Sequence, residues 1–435
     1  MKHTYICRFG DDGFRKEDAI IVDLANKNQY HYTLWDNNKK KLYKIPHFFT
    51  EEAIDLYWIS LMVFYADKLI KRDDEPDRWT REMEIYMPVL CVEKWNNNKA
   101  LFEKMLKYLT GDFWTFFFRR RDITDKELLC KKGLERQKDK MEDKTEFCML
   151  SGGMDSFIGA INLLFQDKKP VFVGNHNGGK GVSIYQKKVI EILSEHYNYS
   201  IDNFYQFYAA PQMNGIEGEN TTRSRSLLFF AHAILLATGF GHEIKLNIPE
   251  NGVISLNIPL TIHRMGSLST RTTHPYYIGM LGELLRNLGI PVVLYNPFQF
   301  LTKGEMADKC LDRDFLAQNI EWTMSCSHPD LGRYKHDPYP SHCGTCLPCT
   351  IRRAAIAYAR MIDRSKYRDP LYDDPNAQIN LKSFIMGVRR YRDGKINPSL
   401  AIQDSGPLSE DLDLFESVYK RGIEQLGVFL DNFHG

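Results

Sequence analysis

The feature that most constrains the fold is the stretch Phe147–Ser156, FCMLSGGMDS. Its apolar start, Phe147–Leu150, is typical of a buried parallel strand. The turn Ser151–Gly153 contains two glycines, which lack the Cβ that would hinder a tight turn. Asp155 and Ser156 follow where a helix needs its N-cap, and apolar residues then continue at helical spacing. A strand, a glycine-rich turn and a helix together expose free N–H groups and the positive end of the helix dipole, which favours phosphate binding.

Composition limits the class of protein. The chain has 435 residues, a formal net charge of +1 and 13% aromatic residues. These values favour two or three folded domains and exclude a strong overall attraction to nucleic acid or to an acidic membrane. The first residues lack an apolar signal core, and the longest apolar stretch, around Leu227–Ala237, contains His232 and is too short to span a bilayer. We therefore expect a soluble, cytoplasmic protein without a membrane partner.

The chain is predicted to have three parts. Residues 1–143 form an N-terminal α+β domain, 144–365 alternate strands with helices, and 366–435 form a helical extension. The alternation is typical of a parallel sheet covered on both faces, with ligands at the carboxyl ends of its strands. The expected strands of the second part are Phe147–Leu150, Val171–Gly174, Asn203–Tyr208, Glu243–Ile248 and Val292–Tyr295, and its expected helices are Ser156–Phe165, Gly181–His196, Ser224–Thr238 and His274–Leu288.

Polar residues that follow these strands extend the candidate site. Asn175, His176 and Asn177 end the second strand and are candidates for nucleoside contacts, although a plain polar turn explains them equally well. Arg225 opens an apolar helix, where a guanidinium can bind phosphate or carboxylate through two hydrogen bonds. A surface salt bridge is the alternative interpretation of Arg225.

The long polar segment Glu250–Pro275 offers groups for a substrate. Loops of this length usually have a function. Glu250 and Asn251 follow a strand, and a carboxylate there could accept hydrogen bonds from the edge of a purine-like ring. Arg264 and Arg271 could bind an anionic substrate, whereas an ordinary polar surface loop would also explain many of these residues one by one.

Lys303 lies in the stretch Pro297–Ala307, PFQFLTKGEMA. The turn after Leu150 lacks the lysine of a Walker motif, so charge on a leaving diphosphate would need compensation from elsewhere. Lys303 could supply it. Thr302 and Glu305 could also form a capping box at the start of a helix, and both interpretations can hold together.

Four of the nine cysteines are predicted to bind a metal. Three of them follow one another at two-residue spacing, and one lies upstream: Cys326, Cys343, Cys346 and Cys349. Four thiolates suit tetrahedral Zn²⁺ and leave no open position, so the zinc would be structural. An iron–sulfur cluster with the same ligands is the rival interpretation. His328, His336 and His342 are near enough in sequence to replace a thiol.

The sequence resembles a known family in several of these motifs. The turn SGGMDS resembles the SGGxDS loop of the ATP pyrophosphatases, the PP-loop enzymes. Thr145–Arg360 resembles the 7-cyano-7-deazaguanine synthases, the QueC family, with four motifs in the same order. Ser226 replaces the asparagine that this family usually has after Arg225, and Cys326 lies farther upstream than usual. The chain is longer than the usual members of this family and contains the stretches STRTTHP and CGTCLPCTIRRAA. In these features it looks most like the QueC-like proteins of bacterial anti-phage systems, such as the C component of Qat.

The resemblance implies a fold and a site. The fold would be a Rossmann-like parallel sheet of the adenine nucleotide alpha hydrolase (PP-loop) type, with a zinc-binding loop and the added N-terminal domain. ATP and Mg²⁺ would bind at the turn, and Zn²⁺ at the cysteines. By residue, the resemblance implies nucleotide contacts from Ser151, Gly152, Gly153, Met154, Asp155, Ser156 and His176, and catalytic roles for Asp155, Lys303 and Arg225.

The resemblance also implies a ligase reaction. ATP would activate 7-carboxy-7-deazaguanine as an adenylate, and an amine would displace AMP. The extra domains favour an amine on a partner protein from the same defence operon, because a polypeptide needs a docking surface. With ammonia, the product would be an amide, and a second activation by ATP would give free 7-cyano-7-deazaguanine (preQ0). A tRNA-modifying PP-loop enzyme and a nucleotide-sensing subunit remain alternatives, although the weak net basicity counts against nucleic acid. The sequence also allows a homodimer.

Overall fold

The computed structural model describes residues 2–37, 39–176, 180–213, 215–260, 271–335 and 339–433. The strands are β1 Lys2–Arg8, β2 Ile20–Asp23, β3 Tyr30–Tyr32, β4 Glu82–Val89, β5 Phe113–Arg120, β6 Glu146–Met149, β7 Val171–His176, β8 Phe204–Pro211, β9 Ile244–Asn247 and β10 Val292–Tyr295. The helices are α1 Leu34–Asn37, α2 Lys39–Leu42, α3 Glu51–Leu69, α4 Val92–Asn97, α5 Lys99–Thr110, α6 Asp125–Arg136, α7 Met154–Phe165, α8 Lys180–His196, α9 Arg225–Thr238, α10 Gly252–Leu256, α11 Pro275–Leu288, α12 Lys303–Asp308, α13 Arg313–Asn319, α14 Leu347–Tyr358, α15 Pro375–Arg392, α16 Pro398–Ser405 and α17 Leu412–Leu430.

The predicted mixed α/β class with parallel sheets is confirmed. The sheet of the second part has the strand order β10-β9-β6-β7-β8-β3. Its strands β6 to β10 are parallel, so the chain starts in the middle, moves out to β8, and then returns to add β9 and β10 on the other side of β6. In such sheets the crevice where the order reverses, here between β6 and β9, is where ligands bind.

Alternate residues of the strands face opposite layers of helices. Phe147 and Val171 pack in one apolar cluster with residues of α9 and α11. Cys148 and Phe172 pack in another, with residues of α7 and α8. Because side chains alternate along a strand, both faces must be covered, which explains the apolar runs Phe147–Leu150 and Val171–Val173.

The N-terminal part contains a second sheet and also contributes to the first. Its parallel strands have the order β2-β1-β4-β5. β3, however, pairs antiparallel with β8, joining Tyr30 to Pro211. The helix α3 is buried on nearly all sides and packs on α9, so Trp58 and Leu227 belong to one apolar cluster. The boundary at residue 143 stays a prediction.

The C-terminal extension packs on the helices next to the site. Apolar residues of α17, among them Val418, Ile423 and Leu426, cluster with Leu256 of α10 and Ala354 of α14. The amphipathic pattern predicted these helices, and the structure gives the neighbours that they cover. In the described parts of the chain, no helix combines the length and the apolar character needed to cross a membrane.

Candidate functional site

A tight turn joins β6 to α7 at the carboxyl edge of the sheet. Leu150, just past the strand, still donates its N–H to the carbonyl of Val173 at 2.8 Å. Gly152 then has φ +81°, a left-handed conformation that costs a residue with a Cβ roughly 1–2 kcal/mol. A Cβ on Gly152 would also lie 2.9 Å from Cγ of Gln186. Both the conformation and the space therefore require glycine here.

The first turn of α7 has hydrogen-bond donors that the fold does not use. Its N-cap is Gly153, which has no side chain to cap the helix. Among the described residues, nothing accepts a hydrogen bond from the amides of Met154, Asp155 and Ser156. The hydroxyls of Ser151 and Ser156 lie 3.1 Å apart at the same turn. Because the helix dipole adds positive character, this turn is suited to bind an anion.

Gln186 of α8 supports the turn and was not singled out from the sequence. It is buried, and its Nε2 lies within hydrogen-bond distance of three carbonyls, those of Leu150 at 3.4 Å, Ser151 at 3.1 Å and Asn175 at 2.9 Å. A buried amide must find such partners. The available signal was its position three residues before Val189, on the apolar face of a helix.

Replacing Gly152 by alanine is expected to destabilise the protein. The left-handed conformation alone should lower the free energy of unfolding by about 1–2 kcal/mol, and contact with Gln186 adds to this. Gly153→Ala is the matched control, because its φ of −83° is ordinary and its new Cβ would meet nothing closer than 3.3 Å. Thermal unfolding should show a lower melting temperature for Gly152→Ala than for Gly153→Ala. Equal melting temperatures would contradict this description of the turn.

Asp155 forms a buried ion pair with Lys303. The two residues are only 6% and 8% exposed, and Nζ of Lys303 donates to Oδ1 of Asp155. Asn251 donates to Oδ2 through its backbone N at 3.2 Å and its Nδ2 at 2.7 Å. Burial opposes ionisation of Asp155, but Lys303 and the hydrogen bonds lower its pKa below the usual value. The carboxylate is therefore ionised and fully engaged.

The start of α12 holds Lys303 in this position. The predicted capping box is present: Thr302 Oγ1 accepts from the N–H of Glu305 at 3.1 Å, and Glu305 Oε2 accepts from the N–H of Thr302 at 2.9 Å. Lys303 is the first residue of the helix. The cap thus sets the direction in which the Lys303 side chain leaves the backbone. The capping box is therefore compatible with a role of Lys303 in compensating negative charge.

Glu250 is a second carboxyl group beside Asp155. Its Oε1 accepts from Nδ2 of Asn251 at 3.2 Å. Burial and the negative charge of Asp155 raise the pKa of Glu250 well above its ordinary value. Two neighbouring carboxyl groups with divergent pKa values are typical of functional sites. Glu250 lies after β9 and Asp155 after β6, so both border the crevice where the strand order reverses.

The stability contributed by Glu250 is expected to depend on pH. Because its folded pKa is raised, its contribution is complete below the ordinary value of 4.5 and is lost as pH rises through the folded value. Glu250→Gln removes this dependence. The melting temperature of the variant, relative to wild type, should therefore increase from about pH 5 to about pH 8. A difference that stays constant over this range would show that Glu250 has an ordinary pKa.

The other predicted residues lie at varied distances from this pair. His176 ends β7, and its ring stacks on Tyr208 with 5.4 Å between centroids. Arg225 begins α9, and burial lowers its pKa. Arg271 donates to the carbonyl of Tyr108 at 2.8 Å and lies over its ring. None of the contacts just described reaches Asp155, and Arg264 lies outside the described residues.

The four predicted cysteines form one cluster. Their sulfur atoms all lie within 4.8 Å of one another, with Cys326 and Cys346 4.0 Å apart and Cys343 and Cys349 3.9 Å apart. A tetrahedral ion with Zn–S bonds near 2.3 Å requires sulfurs about 3.8 Å apart. The cluster therefore fits a single metal ion such as zinc. Sulfurs around a multi-iron cluster would be farther apart.

Backbone groups and one histidine complete this metal site. The amides of His328 and Cys343 donate to Sγ of Cys326, each at 3.3 Å, which favours the thiolate form. The ring of His342 lies outside the thiolate set, with Nδ1 3.8 Å from Sγ of Cys349 and Nε2 3.1 Å from the carbonyl of Thr323. His342 thus orients a ligand and does not replace one, and His336 lies outside the described residues.

The cysteine cluster packs directly on the turn between β6 and α7. Met324, two residues before the first cysteine, donates its N–H to the carbonyl of Gly152 at 2.8 Å. Tyr185 of α8, the helix that also carries Gln186, donates its hydroxyl to the carbonyl of Pro340 at 3.2 Å. Pro340 lies shortly before Cys343, the first of the three closely spaced cysteines. Because the metal would fix the segment that holds Met324, metal binding and the shape of the turn should be coupled.

Comparison with known proteins leaves the family open: no protein-family model and no curated protein matches the sequence. The site itself offers unused amides for an anion, a lysine next to a carboxylate, and a second carboxyl group whose pKa is raised. Such groups can stabilise negative charge that develops on a leaving group.

Proposed function

We propose that the chain is a ligase that cleaves ATP to AMP and diphosphate in order to activate a carboxylic acid. The observation that carries the proposal is the unused first turn of α7 at the crevice between β6 and β9, with Lys303 beside it. The turn would hold the β- and γ-phosphates on the amides of Met154–Ser156. Lys303 would offset the charge that develops as diphosphate departs, the role that a Walker lysine has elsewhere.

The proposed reaction has two steps. A carboxylate oxygen of the acid attacks the α-phosphorus, the Pα–O bond to diphosphate breaks, and an acyl adenylate forms. An amine then attacks the acyl carbon, a C–N bond forms, AMP leaves with the C–O bond electrons, and the amine loses a proton. Asp155 already accepts hydrogen bonds from Lys303 and Asn251, so Mg²⁺ would be held mainly by the phosphates of ATP, through which it binds in many enzymes.

The resemblance to the QueC family supports 7-carboxy-7-deazaguanine as the acid. Glu250 is compatible with this choice, because its carboxyl oxygens could accept hydrogen bonds from the ring N–H and the exocyclic amine of a guanine-like edge. The proposed acceptor is an amine on a partner protein in anti-phage defence. The N-terminal part and helices α15–α17 supply surface beyond the parallel sheet for such a partner.

The test of this function is isotope exchange between labelled diphosphate and ATP, measured across a panel of carboxylic acids. We expect exchange that depends on 7-carboxy-7-deazaguanine and is absent with the acid's amide. Exchange with a different acid would keep the enzyme class and correct the substrate. ATP binding without exchange for any acid would identify a nucleotide-sensing subunit and overturn the ligase proposal.

The acceptor requires a separate experiment. The protein would be incubated with ATP, the acid and the product of a neighbouring defence gene, and the intact mass of that product would be measured. A mass gain equal to the acid minus water would support conjugation. Formation of free 7-cyano-7-deazaguanine from ammonia, with the partner's mass unchanged, would favour the nitrile synthase instead. Dependence on tRNA would indicate the tRNA-modifying alternative.

A further inference from the structure

The short helix that carries Lys303 depends on its neighbours. α12 spans only Lys303–Asp308, and an isolated helix of this length is not stable in water. The last long helix, α17, approaches it very closely. A Cβ on Gly304 would lie 2.7 Å from Oε1 of Gln425 and 2.8 Å from Cδ1 of Tyr358. Glycine at this position therefore allows α17 and α14 to enclose the start of α12.

Arg421 of α17 holds the capping box of α12. Its Nε donates to Oε1 of Glu305 at 2.6 Å, and its Nη2 donates to Oε2 at 3.2 Å. Nη2 also donates to the carbonyl of Phe300 at 2.8 Å. Glu305 in turn accepts from the backbone N–H of Thr302. The guanidinium of Arg421 therefore holds the chain before Thr302, at Phe300, and after it, at Glu305. Bidentate arginine pairs of this kind restrict geometry strongly.

Gln425 makes a second polar contact with the same cap. Its Oε1 accepts from Oγ1 of Thr302 at 2.8 Å. The rest of the contact face of α17 is apolar and includes the buried residues Val418, Ile423 and Leu426. These apolar residues bury the face of α17 that packs on the fold, whereas the polar contacts of Arg421 and Gln425 are made to the start of α12.

Packing alone does not hold Lys303 in place. A cavity of about 100 Å³ lies between α10, α12 and α17, and Lys303 itself lines it, together with Asn251 and Ile423. Side chains next to such a void have fewer contacts that restrict their rotamers. The orientation of Lys303 must then come from its ion pair and from the backbone direction that the cap sets.

We propose that Arg421 and Gln425 are positioning residues, through which the C-terminal helix α17 aims Lys303 at the phosphate site. The inference rests on the proposed function and extends it, because it makes the helical extension part of the catalytic apparatus. A helix that only added stability would have no need to contact the cap of α12 at three points.

The test compares Arg421→Gln with Arg392→Gln. Arg392 of α15 pairs with Glu424 of α17, at 2.7 and 3.2 Å, and these contacts do not involve the cap of α12. Arg421→Gln should lower kcat for ATP–diphosphate exchange tenfold to a hundredfold, with little change in the KM for ATP, because a misaligned lysine affects the transition state most. Arg421→Lys should recover part of the rate. Arg392→Gln should leave kcat within about twofold.

A second measurement does not depend on catalysis. Hydrogen–deuterium exchange of residues 300–308 should be faster in Arg421→Gln than in wild type and unchanged in Arg392→Gln. An unchanged kcat in Arg421→Gln, or an equal loss in both variants, would overturn the positioning role. If wild type exchanged no diphosphate with any acid, the proposed function would fail and the positioning role with it. Deuterium exchange would then show whether Arg421 restrains residues 300–308.

Discussion

ATP–diphosphate exchange by the Lys303→Met variant is expected to fall by about 10²–10³-fold, the usual cost of removing one group that stabilises transition-state charge. Lys303 is the one predicted catalytic residue that the structure joins directly to Asp155. Its loss removes the only positive charge recorded on that carboxylate among the described residues. Exchange at the wild-type rate would remove Lys303 from the mechanism.

Folding must be separated from catalysis in this experiment. Removing one partner of a buried ion pair destabilises proteins by about 3–5 kcal/mol, whereas removing both is often neutral. The double variant Asp155→Asn with Lys303→Met should therefore recover stability without recovering exchange. Lys309→Met is the matched control, because Lys309 is exposed and directly follows the same helix, and this variant should keep both stability and exchange. A double variant as inactive but less stable than Lys303→Met would contradict the ion-pair geometry.

Removal of the metal is expected to have the second large effect. One zinc per chain should be found by elemental analysis, and chelation should lower the melting temperature by about 4 °C. This follows if free zinc at about 1,000 times its Kd stabilises by about 4 kcal/mol and each kcal/mol shifts the melting temperature of a 435-residue chain by about 1 °C. Because Met324 donates to Gly152, chelation should also weaken ATP binding.

The control for metal binding is a cysteine outside the cluster. Cys343→Ser should lose the metal and reproduce the effect of chelation. Cys91→Ser should retain one zinc, because Cys91 lies beside Glu51, far from the cluster in the chain. Iron in place of zinc would revise the identity of the ion and leave the ligand set intact. A metal-free protein with unchanged stability would contradict the site.

Much of the fold was predictable because hydrophobic pattern and chain order agree. The strand Val292–Tyr295 was predicted with the bounds that the structure shows, and the helix at Gly181–His196 begins one residue earlier in the structure. The helix after the turn begins at Met154 and not at Ser156. Its N-cap is thus a glycine, and the expected capping by Asp155 or Ser156 does not occur.

The missing parts of the prediction involve partners that are distant in sequence. Asp67 accepts from Ser224 Oγ at 2.6 Å and pairs with Arg81. Ser224, in the segment Thr221–Ser226, therefore connects the start of α9 to the N-terminal part. The neighbouring residue Arg225 was singled out from the sequence instead. β3 likewise joins a strand about 180 residues away, and no local pattern encodes such a pairing.

In the candidate site, too, residues in local motifs were predicted, and residues whose role depends on distant partners were missed. Asp155, Asn251 and Lys303 were each noted from motifs, and the structure brings them together because their strands and helices meet at one edge of the sheet. Gln186 and Arg421 were missed. Each looks like an ordinary polar residue on a helix, and only the backbone carbonyls and carboxylate that they contact give them a role.

The most direct measurement is a crystal structure with a non-hydrolysable ATP analogue bound. We expect the β- and γ-phosphate oxygens within about 2.7–3.2 Å of the amides of Met154–Ser156, with Lys303 near the bridging oxygen. An analogue bound at another surface, with those amides occupied by a protein group, would contradict the account.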